Sequence, residues 1–529
     1  MEHPSIAVLE GLCDGPTGFA RVDELLACHA RARGQHAAIQ VGQVSVTYGD
    51  VLDRAQRLAA QLRAGGLGSG DRIALLAKND VAFCDLMMAA SLTGIVLVPI
   101  NFRLARPEIE FIVRDAGVRL LFAGADFAET ARAVQANCGT DVAVVDVSAD
   151  GAYGGWLSTS ERQKGATGGR DAILFQMYTS GTTGHPKGAL ISQGNVLAIV
   201  KNGIQFLGPF DEMSRSLVCM PLFHVAGNAW LFFGLGAGCF NSLVVDIDPE
   251  DLLTRISEDG ITCTLMVPAV IRMLVLAAEA REQTVRGLKT IVFGASPMPA
   301  ELLKRAQKVF PETDFIHVYG MTETTCMFCA LDPQELRAGR RLESCGKPFP
   351  DAAMKIVDEA GAELPTGRIG EIVCATPQMM SGYWQRPEAT AKAIRDGWYH
   401  TGDAGFVDAE GFLHIRDRIK DMLISGGENV YPAEVENAIL AHPAVADVAV
   451  IGVPDERWGE VGLAAVVLKA GARAEDDAIK ATVRERLAGY KVPKRVVYLE
   501  ALPRNGAGKV TKEVLRNAYG TRNAERPRR

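Results

Sequence analysis

The chain has 529 residues, 48% of them apolar and 22% charged, a balance that excludes disordered, collagenous and coiled-coil proteins and allows roughly two to four domains with large cores. A formal net charge of -7 argues against a protein that coats nucleic acid. The 54 glycines are about 10% of the chain against a usual ~7%, so the excess has to sit in loops or at close backbone contacts.

Taken in chain order, apolar spacing predicts an amphipathic helix over Val51 to Ala64, a strand over Arg72 to Ala77, a helix over Asn79 to Thr93 and a strand over Gly94 to Pro99. An apolar strand follows over Ala172 to Met177, and the same rhythm returns at Leu288 to Phe293 and Phe315 to Val318. Alternation of this kind predicts an α/β fold with much parallel sheet. Between them, Ser216 to Val245 carries no formal charge, with His224 its one side chain that titrates near neutral pH. Thirty such residues are long enough for a membrane span. Pro221, Asn228, Asn241 and several glycines interrupt the stretch, however, so the reading is a loop entering a buried helix and then a strand.

Gly405 to Ile415 reads as a β-hairpin turning at Asp408 to Gly411. The character of the chain changes near residue 420. A compact βαβ-like pattern follows: helix Ala433 to Ala441, strands Val445 to Ile451 and Leu463 to Leu468, helix Ala478 to Leu487, strand Arg495 to Tyr498. Residues 420–529 carry 18 Lys and Arg against 15 Asp and Glu, a basic segment on an acidic remainder and so one suited to phosphates. The division predicted is a large N-terminal domain over 1–419, of layered α/β subdomains, and a small mobile α+β domain over 420–529.

Eleven scattered cysteines and an N-terminus without a secretion pattern predict free thiols in a reducing cytoplasm. Cys326 and Cys329 form a lone C-x-x-C with no second pair to complete a zinc site.

The strongest chemical signal is Tyr178-Thr-Ser-Gly-Thr-Thr-Gly-His-Pro-Lys187-Gly188, directly after the apolar strand. Thr179, Ser180, Gly181, Thr182, Thr183 and Gly184 offer backbone N–H groups and hydroxyls to an anion, and Lys187 adds a charge. The spacing is not that of a Walker A loop. This segment resembles the signature of the adenylate-forming superfamily: acyl-CoA synthetases, nonribosomal peptide adenylation domains and firefly-type luciferases. The resemblance continues in order, over roughly residues 20–517, through Gly294-Ala295-Ser296-Pro297, Tyr319-Gly320-Met-Thr322-Glu323-Thr324, Thr401-Gly-Asp403 and Arg418-Ile-Lys420-Asp421. It ends in the loop Ile424 to Pro432 and in Pro503-Arg-Asn-Gly-Ala-Gly-Lys509.

The resemblance implies the following roles. Tyr319 stacks on adenine beside the turns of Gly294, Ala295, Ser296 and Gly320. Thr322 donates to the α-phosphate, and Glu323 is a carboxylate for Mg²⁺; a lone Thr–Glu pair would otherwise be a helix cap. Asp403 accepts the ribose hydroxyls and Arg418 faces ribose or phosphate. Lys420 is the hinge. Lys509 reaches the substrate carboxylate and the α-phosphate. Coenzyme A falls to Arg103, Trp458, Tyr490 and the Ser425-Gly426-Gly427 turn, where the missing side chains admit a narrow tunnel. Position 512 is Lys where the motif usually ends in Arg.

Pro221-Leu-Phe223-His224-Val225-Ala-Gly resembles the family's motif beside the acyl group, with Phe223, Val225, Asn228 and Trp230 as lining and His224 as a positional gate. With no Asp or Glu between Ser216 and Val245, an ammonium would be buried unpaired, so the expected acid is apolar. The sequence most resembles bacterial fatty-acyl-CoA ligases and next aryl-CoA ligases. A medium- or long-chain fatty acid is expected, with an aryl or short branched or cyclic acid, or transfer of the acyl group to a carrier protein, as alternatives. The expected partners are ATP, Mg²⁺, coenzyme A and a small carboxylic acid. No nucleic acid or transmembrane span is expected, peripheral membrane contact stays open, and a monomer or homodimer is expected.

Overall fold

Helix caps written into the sequence set the first elements. Thr47 and Asp50 form a reciprocal capping box that opens the helix Tyr48–Ala64. Asp80 accepts from the Ala82 N–H to start Val81–Thr93, and Gly94, at φ 74°, ends it. In the computed structural model the described residues are 18–139, 142–148, 151–159, 161–163, 165–179, 186–208, 210–296, 298–425, 428–455, 457–505 and 508–520. They divide into two compact units, one within Met1–Ala353 and Cys374–Tyr399, the other within Met354–Val373 and His400–Arg529. The division is not a single cut in the chain. Strands of the 354–373 segment share a sheet with Trp398–Val407 and Leu413–Arg418, and sheet pairing draws them together.

The first unit contains two sheets. One has the order Gly382–Tyr383, Lys187–Ser192, Ile173–Thr179, Val96–Pro99, Arg72–Leu76, Val118–Ala123, Ala143–Asp146; its last five strands are parallel. The other has nine strands, with Asp314–Tyr319, Thr290–Phe293, Cys263–Met266, Arg215–Val218, Phe240–Leu243 and Ala37–Val41 parallel in its middle. These are the parallel sheets that the strand–helix alternation predicts. One continuous apolar core, from Val22 to Phe349, serves both.

The uncharged stretch is strand Arg215–Val218, helix Val225–Ala237 and strand Phe240–Leu243. All 13 residues of that helix are buried, which is why it is apolar on every face. At 1.5 Å per residue it spans about 20 Å, short of the ~30 Å of a bilayer core, and no helix among the described residues is long and apolar enough to cross a membrane.

In the second unit, Val445–Asp455 and Gly459–Leu468 pair antiparallel along their whole length, and Arg495–Tyr498 joins the second strand in parallel after the helix Asp476–Arg484. The pattern is therefore βαβ only in its latter half. Both strands run four residues beyond their apolar stretches, to the Asp455↔Gly459 pair, because the ladder continues through Gly452, Pro454 and Glu460. Asp455 closes the turn, its Oδ1 accepting from the N–H groups of Arg457 and Trp458 at 2.9 Å each.

Candidate functional site

In the first unit the sites converge on the C-terminal ends of strands. Ile173–Thr179 and Lys187–Ser192 are antiparallel neighbours with Thr179 opposite Lys187, so the Gly- and hydroxyl-rich segment links their ends. Ser180, Gly181, Thr182, Thr183 and Gly184 lie outside the described residues, as do Pro297, Gly426 and Gly427. Thr290–Phe293 and Asp314–Tyr319 are parallel neighbours, which puts Gly294-Ala295-Ser296 and Gly320 side by side at one sheet edge, where α/β sheets bind ligands. Both glycines are required by close approach. A Cβ on Gly294 would stand 2.5 Å from the Val318 carbonyl oxygen, and one on Gly320 2.4 Å from that of Cys326. Ala295, Thr325 and Cys326 hold φ of 65°, 48° and 100°, a concentration of left-handed non-glycine backbone typical of functional turns. Tyr319 packs edge-on against Phe328, ring centroids 5.2 Å apart.

Glu323 sits in the short turn Thr322–Thr324 and is 9% exposed. Its Oε1 accepts from the Tyr383 hydroxyl at 2.8 Å and the Thr179 hydroxyl at 3.4 Å, and its carbonyl accepts from the Met380 N–H at 2.8 Å. Lys187 Nζ lies 5.3 Å from the Tyr383 ring centroid. Oε2 takes no hydrogen bond among the described residues. One oriented carboxylate with an oxygen to spare, beside hydroxyls and a lysine, fits Mg²⁺ held by few protein ligands and by phosphates.

Tyr383 and its neighbours join the candidate site by their contacts, and motif reading did not name them. Trp384 Nε1 donates to the Asp115 carbonyl at 3.0 Å, Arg72 stacks 3.5 Å above the Trp384 ring, and Asp115 Oδ2 accepts from the Tyr178 hydroxyl at 2.7 Å. Burial first, then Asp115, raise the Tyr178 phenol well above its usual range, so it remains a donor. The signal was the Gly-Tyr-Trp sequence after a strand, which only tertiary pairing with Lys187–Ser192 makes legible.

His224 caps the helix Val225–Ala237, Nδ1 accepting from the Ala226 N–H at 3.2 Å, so its neutral ring carries the proton on Nε2. Phe223 meets Phe102 edge-on at 5.3 Å, and the Arg103 guanidinium lies 6.0 Å from the Phe223 ring. The sequence candidates for the acyl group and for coenzyme A are thus neighbours at that point. Val225 and Asn228 line a narrow apolar cavity with Phe175, Met177, Phe232 and Thr325. Trp230 is elsewhere, packed against Phe210 and Phe233 at 4.9 and 5.9 Å and 1% exposed. Cys326 and Cys329 are buried thiols, the former pushed up to about 12 by burial.

In the second unit, Asp403 and Arg418 are opposite one another on antiparallel strands and ion-paired at 2.7 Å. Lys420 lies in the turn Ile419–Asp421 directly after. Ser425 is opposite Gly459, next to Trp458, and the turn Gly489–Lys491 carrying Tyr490 packs on Glu428–Val430. Three of the coenzyme A candidates therefore share one end of the small sheet, with Trp458 and Tyr490 exposed. Lys509 is exposed on a loop closed by Asn505, whose Oδ1 accepts from the Lys509 N–H at 3.0 Å. Lys512, in place of the usual Arg, pairs with Glu436 at 2.8 Å.

Residues 26–384 match the family model for AMP-binding enzymes, and 434–509 that for the AMP-binding enzyme C-terminal domain. The chain is 37% identical over 501 residues to a feruloyl-CoA synthase of an Amycolatopsis species, covering 93% of this chain and 97% of that one. It is 37% identical over 481 residues to a long-chain-fatty-acid–CoA ligase of Mycobacterium tuberculosis, covering 90% and 93%. The solved structure of the o-succinylbenzoate CoA synthetase from Bacillus subtilis, in complex with its acyl-adenylate intermediate, aligns with a TM-score of 0.83 at 30% identity over 94% of this chain and 98% of that one. With both domain models in order and CoA ligases among its relatives over nearly its whole length, the chain belongs to the AMP-binding enzyme family and is an adenylate-forming acid–CoA ligase.

Proposed function

We propose that the protein activates an apolar carboxylic acid, a medium- or long-chain fatty acid, in two steps. The carboxylate oxygen attacks the α-phosphorus of ATP, giving acyl-AMP and pyrophosphate. The coenzyme A sulfur then attacks the acyl carbon, giving acyl-CoA, AMP and a proton. The observation that carries this reading is the apolar wall between the strand Ile173–Thr179 and the helix Val225–Ala237: no ionisable side chain lines it, the space it encloses is only about 10 Å³, so a tail enters by parting these side chains, and Met177 and Thr325 lie within two residues of Thr179 and Glu323.

In this reading the 179–187 segment and Lys187 hold phosphates, Tyr319 and the Gly294 turn take adenine, and Asp403 and Arg418 take ribose. Thr322 donates to the α-phosphate and Lys509 neutralises charge developing there. Glu323 holds Mg²⁺, which when bound offsets phosphate charge. Lys420 is the pivot between adenylation and thioester formation. Arg103, Ser425, Gly426, Gly427, Trp458 and Tyr490 receive coenzyme A. The feruloyl-CoA synthase relative and the Phe175 and Phe232 walls favour an aryl acid as the second reading.

A carboxylic-acid panel read by pyrophosphate release tests both readings. Fatty acids are expected to lead; turnover confined to aryl acids would replace the first reading by the second, and adenylate untouched by coenzyme A would point to a carrier-protein acceptor. Tyr383 is a positioning residue here. Tyr383→Phe removes a hydrogen bond to an ionised carboxylate, worth about 1.5–3 kcal/mol, and is expected to weaken MgATP binding, measured by calorimetry, by ~10-fold or more while metal-free ATP binding hardly changes. An equal loss in both would assign Tyr383 a structural role only.

A further inference from the structure

We infer that Gln378 is a positioning residue for the adenylation step: it holds the turn that carries Glu323 and so fixes where that carboxylate stands. The role rests on the proposed function of Glu323 and deepens it. Gln378 is fully buried, just before the strand Gly382–Tyr383, and both ends of its side-chain amide are used. Nε2 donates to the Met327 carbonyl, and Oε1 accepts from Asn202 Nδ2 at 3.0 Å. Its main-chain carbonyl accepts from the Thr325 hydroxyl at 2.6 Å. Two residues on, the Met380 N–H donates to the Glu323 carbonyl at 2.8 Å. Residues 323, 325 and 327 are thus each tied to the 378–380 segment.

The turn needs that restraint. Thr325 and Cys326 stand at φ 48° and 100°, left-handed backbone that non-glycine residues disfavour and that persists only where the surroundings over-determine it. The restraining segment is itself anchored. Asn195 Nδ2 donates to the Pro377 carbonyl at 2.9 Å, and Asn202, about two turns further along the same helix Gln193–Phe206, donates to Gln378 Oε1 and to Asp351 Oδ1 at 3.0 Å each. That helix directly follows the strand Lys187–Ser192, whose Gly188 and Leu190 carbonyls accept from the Trp384 and Ser381 N–H groups at 2.8 Å each. Residues 377–384 therefore bind the Glu323 turn to the strand that begins at Lys187. An apolar side chain of the same length at 378 takes a donor from the Met327 carbonyl and an acceptor from Asn202. The turn then relaxes toward ordinary backbone and Glu323 shifts with it, and a displacement of about 1 Å at a reacting centre is felt as up to ~10²-fold in rate.

The experiment is a double-mutant cycle on the full chain. Adenylation is followed by pyrophosphate release at saturating ATP and Mg²⁺ in the wild type, Gln378→Met, Glu323→Gln and the double variant. Gln378→Met is expected to lower the adenylation kcat by ~10- to 100-fold in the wild-type background, with the KM of the acid changed by less than ~3-fold. In the Glu323→Gln background it is expected to cost less than ~3-fold more, because its effect runs through that carboxylate. Thr325→Val removes the hydroxyl bond to the Gln378 carbonyl with little change of side-chain shape. It runs through the same cycle, with a loss of ~3-fold or more expected that vanishes beside Glu323→Gln, and it decides the matter where Gln378→Met does not fold. A loss of the same size in both backgrounds, which is what a side chain supporting the fold alone would give, overturns the inference, and so does no loss in the wild-type background. The half-saturating Mg²⁺ concentration, titrated for Glu323→Gln, tests the metal reading separately. A value unchanged from wild type would sink the metal role of Glu323 and leave the cycle to decide Gln378.

Discussion

Lys509→Ala is expected to slow acyl-adenylate formation by ~10²–10³-fold, the scale on which removal of one preorganised charge or donor at a transition state is felt. Thioester formation from preformed acyl-AMP and coenzyme A should change by no more than a few-fold. The loop's construction makes the test clean. Its shape is held by the backbone and by neighbours: Asn505 N–H donates to the Lys509 carbonyl at 2.8 Å, Thr511 N–H donates to the Pro503 carbonyl at 2.8 Å, and Arg504 pairs with Asp447 at 2.6 Å. None of these bonds uses the Lys509 amine, so all of them remain available to the loop in the alanine variant. Rapid-quench measurement of each half-reaction separates the two steps, and equal loss in both would remove Lys509 from the adenylation step. Asn505→Ala should slow adenylation less than Lys509→Ala, because it frees the loop without removing the cation.

Much of this arrangement was legible because adjacent signals agreed. Around Thr179, the apolar run read as a strand is one, and the lysine that ends the motif stands opposite Thr179 on its neighbour. The helix Val225–Ala237 was readable as buried because a charge-free stretch broken by Pro221 and Asn241 has few other uses. Three features were not legible, each for a physical reason. Tyr383 acts through a strand pairing of Gly382 with Leu190, and nothing local at residue 383 specifies a partner some 190 residues earlier. Gln378 reaches the Met327 carbonyl and Asn202 across 51 and 176 residues of chain, and nothing local names either partner. Trp230 has the same apolar signature as Val225 and Phe232, but its place on the helix turns it into the Phe210–Phe233 cluster rather than onto the cavity. Spacing on a helix that is buried on every face cannot tell one side from another.

Arg54→Met is expected to cost about 3–5 kcal/mol of stability at neutral pH, the scale for removing one partner from a buried ion pair, with the loss shrinking as pH falls. Asp85 is fully buried on the helix Val81–Thr93, and Arg54 on the neighbouring helix Tyr48–Ala64 reaches it with Nη2 at 2.6 Å and Nε at 3.0 Å. The Tyr153 hydroxyl also donates to it. Burial raises the Asp85 carboxyl above the usual carboxylate range even with Arg54 and Tyr153 opposing it. A group raised on folding binds its proton more tightly in the folded state, so its contribution to stability is greatest in acid and is lost as pH rises through the folded value. Without Arg54 the carboxyl rises further, and the folded protein must either take up a proton or bury an unpaired charge. Asp85→Asn in the Arg54→Met background is therefore expected to recover most of the loss at neutral pH and little in acid, where the carboxyl is already protonated. Urea unfolding of the four proteins of that cycle at two pH values measures the coupling. A loss for Arg54→Met that is independent of pH would mean that the arginine contributes packing of its aliphatic stem rather than charge.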